Sequence, residues 1–350
     1  MGRLSELVRE RPAICMVAVV ALVVLAAGSA WLVLARAHPL RSAGVARLEL
    51  PLPPAPARHA PAPTGPSAAA KSLESIRPDL ALLEDGPFGP LPRIAADGRR
   101  PFLAYARPFN LEDRRPKVAV LLVGLGKERE LLDAALTLPA PIGLQFSPYA
   151  PDLPALVARA RGAGHEVLLE LSLESPAPPA RDPEPHTRPA AGVDENLKRL
   201  DWALAQASGY IALAGAAPRS ANGDQAKAVL DVLARRGLAL IDLGHARLAP
   251  AAAAAGLPYA SARRTIDEKP SVPAIDQALA ALEAEAVAAG SALGVARGQR
   301  MALDRLRQWA ATLEAKGLVL APVSAVLIEQ AGLARKWSTD GRRAAARSEN

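Results

Sequence analysis

The chain has 350 residues, which is room for one large domain or two small ones around a sizeable core. A formal charge of +7 would suit an acidic partner, yet aromatics make up only 3% and no basic stripe is interleaved with stacking residues, which excludes nucleic acid as the expected partner. The single cysteine, Cys15, lies in an apolar segment, so no disulfide can form within the chain.

Residues 1–11 are short and polar, with Arg3, Arg9 and Arg11. Residues 12–35 then run without a charge, long enough to cross a hydrocarbon layer of ~30 Å as a helix. Ala35-Arg36-Ala37 has the small-x-small pattern of a cleavage site. The apolar stretch, however, exceeds the roughly 7–15 residues of a signal-peptide core, so an uncleaved anchor is expected. Arg9 and Arg11 against its near end favour a cytoplasmic N-terminus, with the body of the protein across the membrane. Residues 36–85 are rich in proline and alanine and read as an extended, semi-rigid tether. His38 and His59 fall there and are read as solvated. Residues 86–115 carry Phe88, Phe102, Tyr105 and Phe109, a clustering that predicts a lead-in packed on the domain.

The domain itself is predicted over 116–325, and Arg115–Gly126 opens it. Lys117–Val123 is too short for an ordinary helix and continuously apolar, which is how a strand buried on both faces reads. Gly124-Leu-Gly126 then turns the chain into a helical pattern over Lys127–Leu136. Strands are expected at Ile142–Ser147, Glu166–Ser172, Tyr210–Ala214, Leu238–Leu243, Leu257–Ala260, Ala292–Ala296 and Leu318–Pro322, with helices between them. Seven or eight such units favour a mostly parallel α/β domain curled into a barrel over an open sheet. Residues 326–350 are basic and read as a solvated tail.

Six motifs in this order carry a family resemblance: Tyr105–Phe109 (YARPF), the apolar strand ending at Leu125–Gly126, Leu138–Ala150 (LPAPIGLQFSPYA), Ala160–Glu174, Arg236–Asp242 and Leu318–Ala325. Together they resemble the divergent polysaccharide deacetylase family of bacterial envelope proteins. The resemblance implies a distorted seven- or eight-unit β/α barrel, a single inner-membrane anchor and a periplasmic main domain. It also implies carbohydrate chemistry at the strand ends. Relatives that keep the ancestral site end the first strand in Asp-Asp, where this chain has Val123 and Gly124. They place a histidine where Ala216 stands. Glu174, Asp242 and Asp267 match retained acidic positions. A deacetylase of this type needs a metal-activated water and a carboxylate base, and valine, glycine and alanine supply neither.

The remaining polar groups leave a few candidates. Asp242 and Glu174 are the catalytic candidates, and no metal is expected unless Asp242 and His245 share one rim and hold zinc. The competing reading of that pair is a helix cap and a surface histidine. Glu170, Asp267, Arg264 and Arg297 are candidates for a binding face, and a carboxylate inside a barrel, such as Glu170, calls for a cation such as Arg264 or Arg297. His165 precedes the third strand, at the end remote from catalysis, and is read as structural, and His186 as solvated. Nucleotide binding is not expected, because Arg129 stands where GxGxxG requires its last glycine. No GxSxG elbow occurs. Three roles remain open: a degenerate site that binds an envelope glycan or an envelope protein, an active metal-dependent deacetylase, and a structural envelope protein that uses its lead-in as interface.

Overall fold

A computed structural model of the chain describes residues 78–171, 192–216, 223–244 and 246–333. The expected anchor, Glu174, His186, His245 and the chain beyond 333 lie outside the described residues. Among the described residues, no helix is long and apolar enough to cross a membrane.

The described chain begins with an antiparallel hairpin, β1 (Leu83–Gly86) and β2 (Gly89–Pro92), in which Gly86 aligns with Gly89. The tether expected to reach residue 85 therefore ends earlier. Leu82, just ahead of β1, is fully buried and anchors this end of the chain on the domain. A short helix, α1 (Pro101–Ala104), follows and buries Phe102, while Tyr105 just beyond it is also buried. Phe88, in contrast, is half exposed at the hairpin tip.

Strand β3 (Lys117–Leu125) is the centre of the domain, and Val118–Leu122 are wholly inaccessible. The chain then alternates: α2 (Arg129–Ala135), β4 (Gly143–Phe146), α3 (Leu153–Gly162), β5 (Val167–Glu170), α4 (Val193–Ala205), β6 (Ala212–Gly215), α5 (Gly223–Arg235) and β7 (Ala239–Asp242). It continues through α6 (Ala249–Ala254), β8 (Tyr259–Ser261), β9 (Arg264–Thr265), α7 (Val272–Ala289), β10 (Ser291–Ala296), α8 (Arg300–Ala310), β11 (Val319–Leu320) and α9 (Val323–Gln330). The strands are parallel in the order β8-β7-β6-β5-β4-β3-β10-β9, with β11 added to β3.

The period-two alternation of these strands sorts their side chains into two cores. Val118, Val120, Leu122, Leu144, Phe146, Val167, Leu169, Leu213 and Leu240 face the surrounding helices. Ala119, Leu121, Leu168, Ala212, Ala214, Ile241, Ala260 and Leu293 face the other way, onto α9, Phe102 and Tyr105. The inner set is rich in alanine, which lets the sheet curl tightly around little more than one helix.

That curl is not a closed ring. Strands β8 and β9 are the two edges of the sheet and do not pair with each other. Only Ala262 and Arg263 separate them. One extended segment pairs first with β7 and then with β10, and it cannot pair with itself. The sheet thus meets its own end through the covalent chain, and the strand expected at Leu257–Ala260 is displaced to Tyr259–Ser261 for the same reason.

Helix α9 fills the opening at the N-terminal ends of the strands. Every residue from Val323 to Ile328 is buried, so the domain does not stop at 325, and the tail does not begin at 326. Val323 packs where a side chain on Gly143 would have to stand. Glu329 lies 3.5 Å from Lys117 at the foot of β3. Helix α9 thus occupies the end of the curl where the strands begin, opposite the end where they finish.

Candidate functional site

Strand β3 reaches that end through an irregularity: its register with β4 shifts between Leu122 and Leu125. Such bulges re-aim the chain where a sheet meets its functional end. Gly124 adopts φ +78° and Gly126 φ +110°, both in the left-handed region. The two glycines differ in surroundings. A methyl built on Gly126 would come within 2.4 Å of Ala150, whereas one on Gly124 would meet open space. Gly126 is therefore required by a close approach of the chain to itself, which accounts for the Gly-x-Gly spacing without a phosphate. Gly124 is exposed, and Val123 is half-buried on the inner face.

Of the expected retained acidic residues, Asp242 and Asp267 are described, and both are occupied. Asp242 ends β7 fully buried. Its Oδ1 accepts from the Gly244 amide at 2.6 Å, and its Oδ2 accepts from the Leu248 amide at 3.2 Å and the Tyr259 hydroxyl at 2.8 Å. This is the capping role weighed above, extended to a neighbouring strand. Burial, together with the adjacent Asp242 carboxylate, pushes the Tyr259 hydroxyl well above the usual phenol range. Asp267, also buried, accepts from the Arg297 amide on both oxygens at 2.9 Å and from the Gln299 amide at 3.4 Å. Each aspartate fastens the loop that follows a strand end.

Glu170 ends β5 half-buried, aligned with Ala214 of β6, and is already engaged in an interaction of its own. Arg264 keeps a buried Nε without a hydrogen-bond partner, and Arg297 is exposed, touching Asp267 through its backbone. Ala216 is exposed just past β6. His165 lies at the opposite end, wholly buried, with Nδ1 2.8 Å from the Ile142 carbonyl, and burial lowers its pKa.

One residue at this end carried no role in the sequence. Gln145 lies on the inner face of β4 and is only 2% exposed. Its Oε1 accepts from the Gly124 amide at 3.0 Å, and its Nε2 donates to the Ala214 carbonyl at 2.8 Å. A lone amide in an otherwise apolar strand was the available signal. Gly215 was also overlooked: a side chain there would collide with the Leu171 carbonyl, so β5 and β6 converge at this rim.

The family model for divergent polysaccharide deacetylases matches residues 120–327, which is the curled sheet almost in full. The chain belongs to the divergent polysaccharide deacetylase family. Among solved structures it is similar to an uncharacterized protein, ATU2773, from Agrobacterium tumefaciens C58, at 28% identity over 68% of this chain and 99% of that one, with a TM-score of 0.64. No curated protein matches.

Membership in a deacetylase family raises the question of a metal, and among the described residues the donor set does not fit one. A zinc site needs three or four ligands with free lone pairs converging on one point. Here both oxygens of Asp242 and of Asp267 already accept hydrogen bonds, and Val123, Gly124 and Ala216 carry no donor atoms. Among the described residues, no group of three His, Cys, Asp or Glu side chains could hold an ion. In this divergent polysaccharide deacetylase-family domain the two described retained aspartates, Asp242 and Asp267, hold the loops that follow strand ends.

Proposed function

We propose that this family member recognises an envelope glycan at the end of its curled sheet where the strands finish, without hydrolysing it. The observation that carries the reading is the engagement of Asp242 and Asp267: every carboxylate oxygen there is taken by the protein's own amides and a tyrosine hydroxyl. A general base or a metal ligand has to turn an oxygen toward substrate or ion, and the amides that hold Asp242 and Asp267 orient both carboxylates toward their own loops. The polysaccharide named in the family's description motivates the choice of ligand. The uncharged run over 12–35 motivates the cellular setting: a single pass of the inner membrane with the domain in the periplasm.

The test uses the full chain in detergent micelles, incubated with purified peptidoglycan and with acetylated oligosaccharides. The expected result is co-sedimentation with the glycan, weakened by Arg297→Glu at the rim, and no release of acetate. Acetate release at a rate abolished by Asp242→Asn would instead establish an active deacetylase. Absence of any glycan retention would overturn the reading and turn attention to a protein partner.

A further inference from the structure

Gln145 makes a contact pattern that sheet geometry alone does not require. The bulge in β3 takes Gly124 out of the ladder, so its amide needs an acceptor from elsewhere. Gln145 Oε1 supplies it. The Ala214 carbonyl already accepts from the Leu171 amide at 2.9 Å, and Gln145 Nε2 occupies its second lone pair. The carboxamide therefore runs as a chord across the concave face, from the end of β3 to β6, over the intervening β5. Neighbouring strands lie about 4.8 Å apart, so a side chain on β4 reaches β6 only because the sheet curls. Both hydrogen-bonding ends of the amide are used, in a position 98% shielded from solvent.

The strand ends joined by this chord belong to the positions that the resemblance assigns to metal ligands, Gly124 on one side and the approach to Ala216 on the other. We infer that the Gln145 carboxamide does for this chain what an ion does in a metal-holding mouth: it cross-ties the strand ends and fixes their spacing. It also stands between them with its amino group turned toward β6. A neutral tie has a further property. It needs no cofactor supply, and the shape of the mouth is set when the sheet closes. The inference does not depend on what the mouth binds.

Hydrogen exchange read by mass spectrometry on the full chain tests it, because Gly124 is exposed and, among the described residues, the Gln145 bond is the one that holds its amide. In the wild type, the amide of Gly124 is expected to exchange slowly despite that exposure. Gln145→Leu, which preserves volume, should accelerate exchange at Gly124 about tenfold or more while leaving Val120 protected. Gln145→Glu keeps the acceptor and should keep most of that protection, which separates the hydrogen bond from simple packing and covers the case in which the leucine variant fails to fold. Added zinc should leave the wild-type pattern unchanged. Fast exchange at Gly124 in the wild type, equal protection in the leucine variant, or slowing on addition of zinc would each overturn the inference.

Discussion

Ser324, near the start of the last helix, gives both its amide and its hydroxyl to Glu166, which sits directly beneath β5. The amide contact is 2.9 Å, and the Arg107 amide adds a third donor at 2.8 Å. A wholly buried carboxylate thereby fastens the lead-in, the third strand of the curl and the plugging helix at one point. Burial nevertheless dominates and raises its pKa above the ordinary carboxylate value, against the lowering by Ser324 and Arg107.

A pH dependence follows. Because the folded-state pKa of Glu166 lies above the unfolded value, its contribution to stability is complete below the unfolded pKa of 4.5 and is lost as pH rises through the folded one. Melting temperature should fall on raising pH from about 4 toward neutrality by a component that Glu166→Gln, which cannot titrate, removes. An identical slope in the glutamine variant would assign the effect to other groups. Ser324→Ala, measured at fixed pH, should cost about 1–3 kcal/mol in urea unfolding.

Asp242 offers a second measurement. Asp242→Ala leaves the Gly244 and Leu248 amides and the Tyr259 hydroxyl without their acceptor and should destabilise the chain by roughly 3 kcal/mol. Tyr259→Phe removes a single donor and should cost about 1 kcal/mol. Denaturant melts of both variants distinguish this from a catalytic role, in which Asp242→Ala would leave the midpoint almost unmoved.

The two glycines after β3 should separate cleanly. Gly124→Ala meets no neighbour and incurs only the left-handed backbone penalty, about 1–2 kcal/mol. Gly126→Ala adds a collision with Ala150 and should be clearly worse. Pairing it with Ala150→Gly should recover part of the loss. Equal melting temperatures for the two single variants would show that the close approach is not sensed in solution.

Metal content supplies a fourth check. Full-length protein loaded with zinc and then desalted should retain far less than one ion per chain by elemental analysis, because no described cluster of ligands awaits it. Stoichiometric retention, lost in Asp242→Ala, would restore the hydrolytic reading.

How much of this was legible in the sequence depends on how local each signal is. The run Lys117–Val123 announces a strand buried on both faces because its own seven residues suffice, and β3 is found there with Gly124 and Gly126 turning the chain. The hairpin was missed because the boundary drawn at residue 85 between tether and lead-in cuts through its first strand, and neither half has the alternation of a strand by itself. The open seam was missed because a strand that changes partners looks, in sequence, like one strand. Asp242 could be placed at a strand end, yet its acceptor role involves Tyr259, which no spacing rule links to it. Gln145 was invisible as a site because its two partners, Gly124 and Ala214, come from strands on either side of its own.

Strand β3 has a consequence for how the polypeptide is made. Lys117 aligns with Ser291 of β10 and with Val319 of β11, both far downstream, so the central strand waits through most of synthesis with one long flank bare. Helix α9, which fills the interior, is later still. A ribosome that has released everything up to β9 holds a sheet that has Phe102 and Tyr105 to cover its inner face but lacks α9, with one flank of β3 unpaired. The native surroundings of β3 are therefore completed only once β10, β11 and α9 have been made.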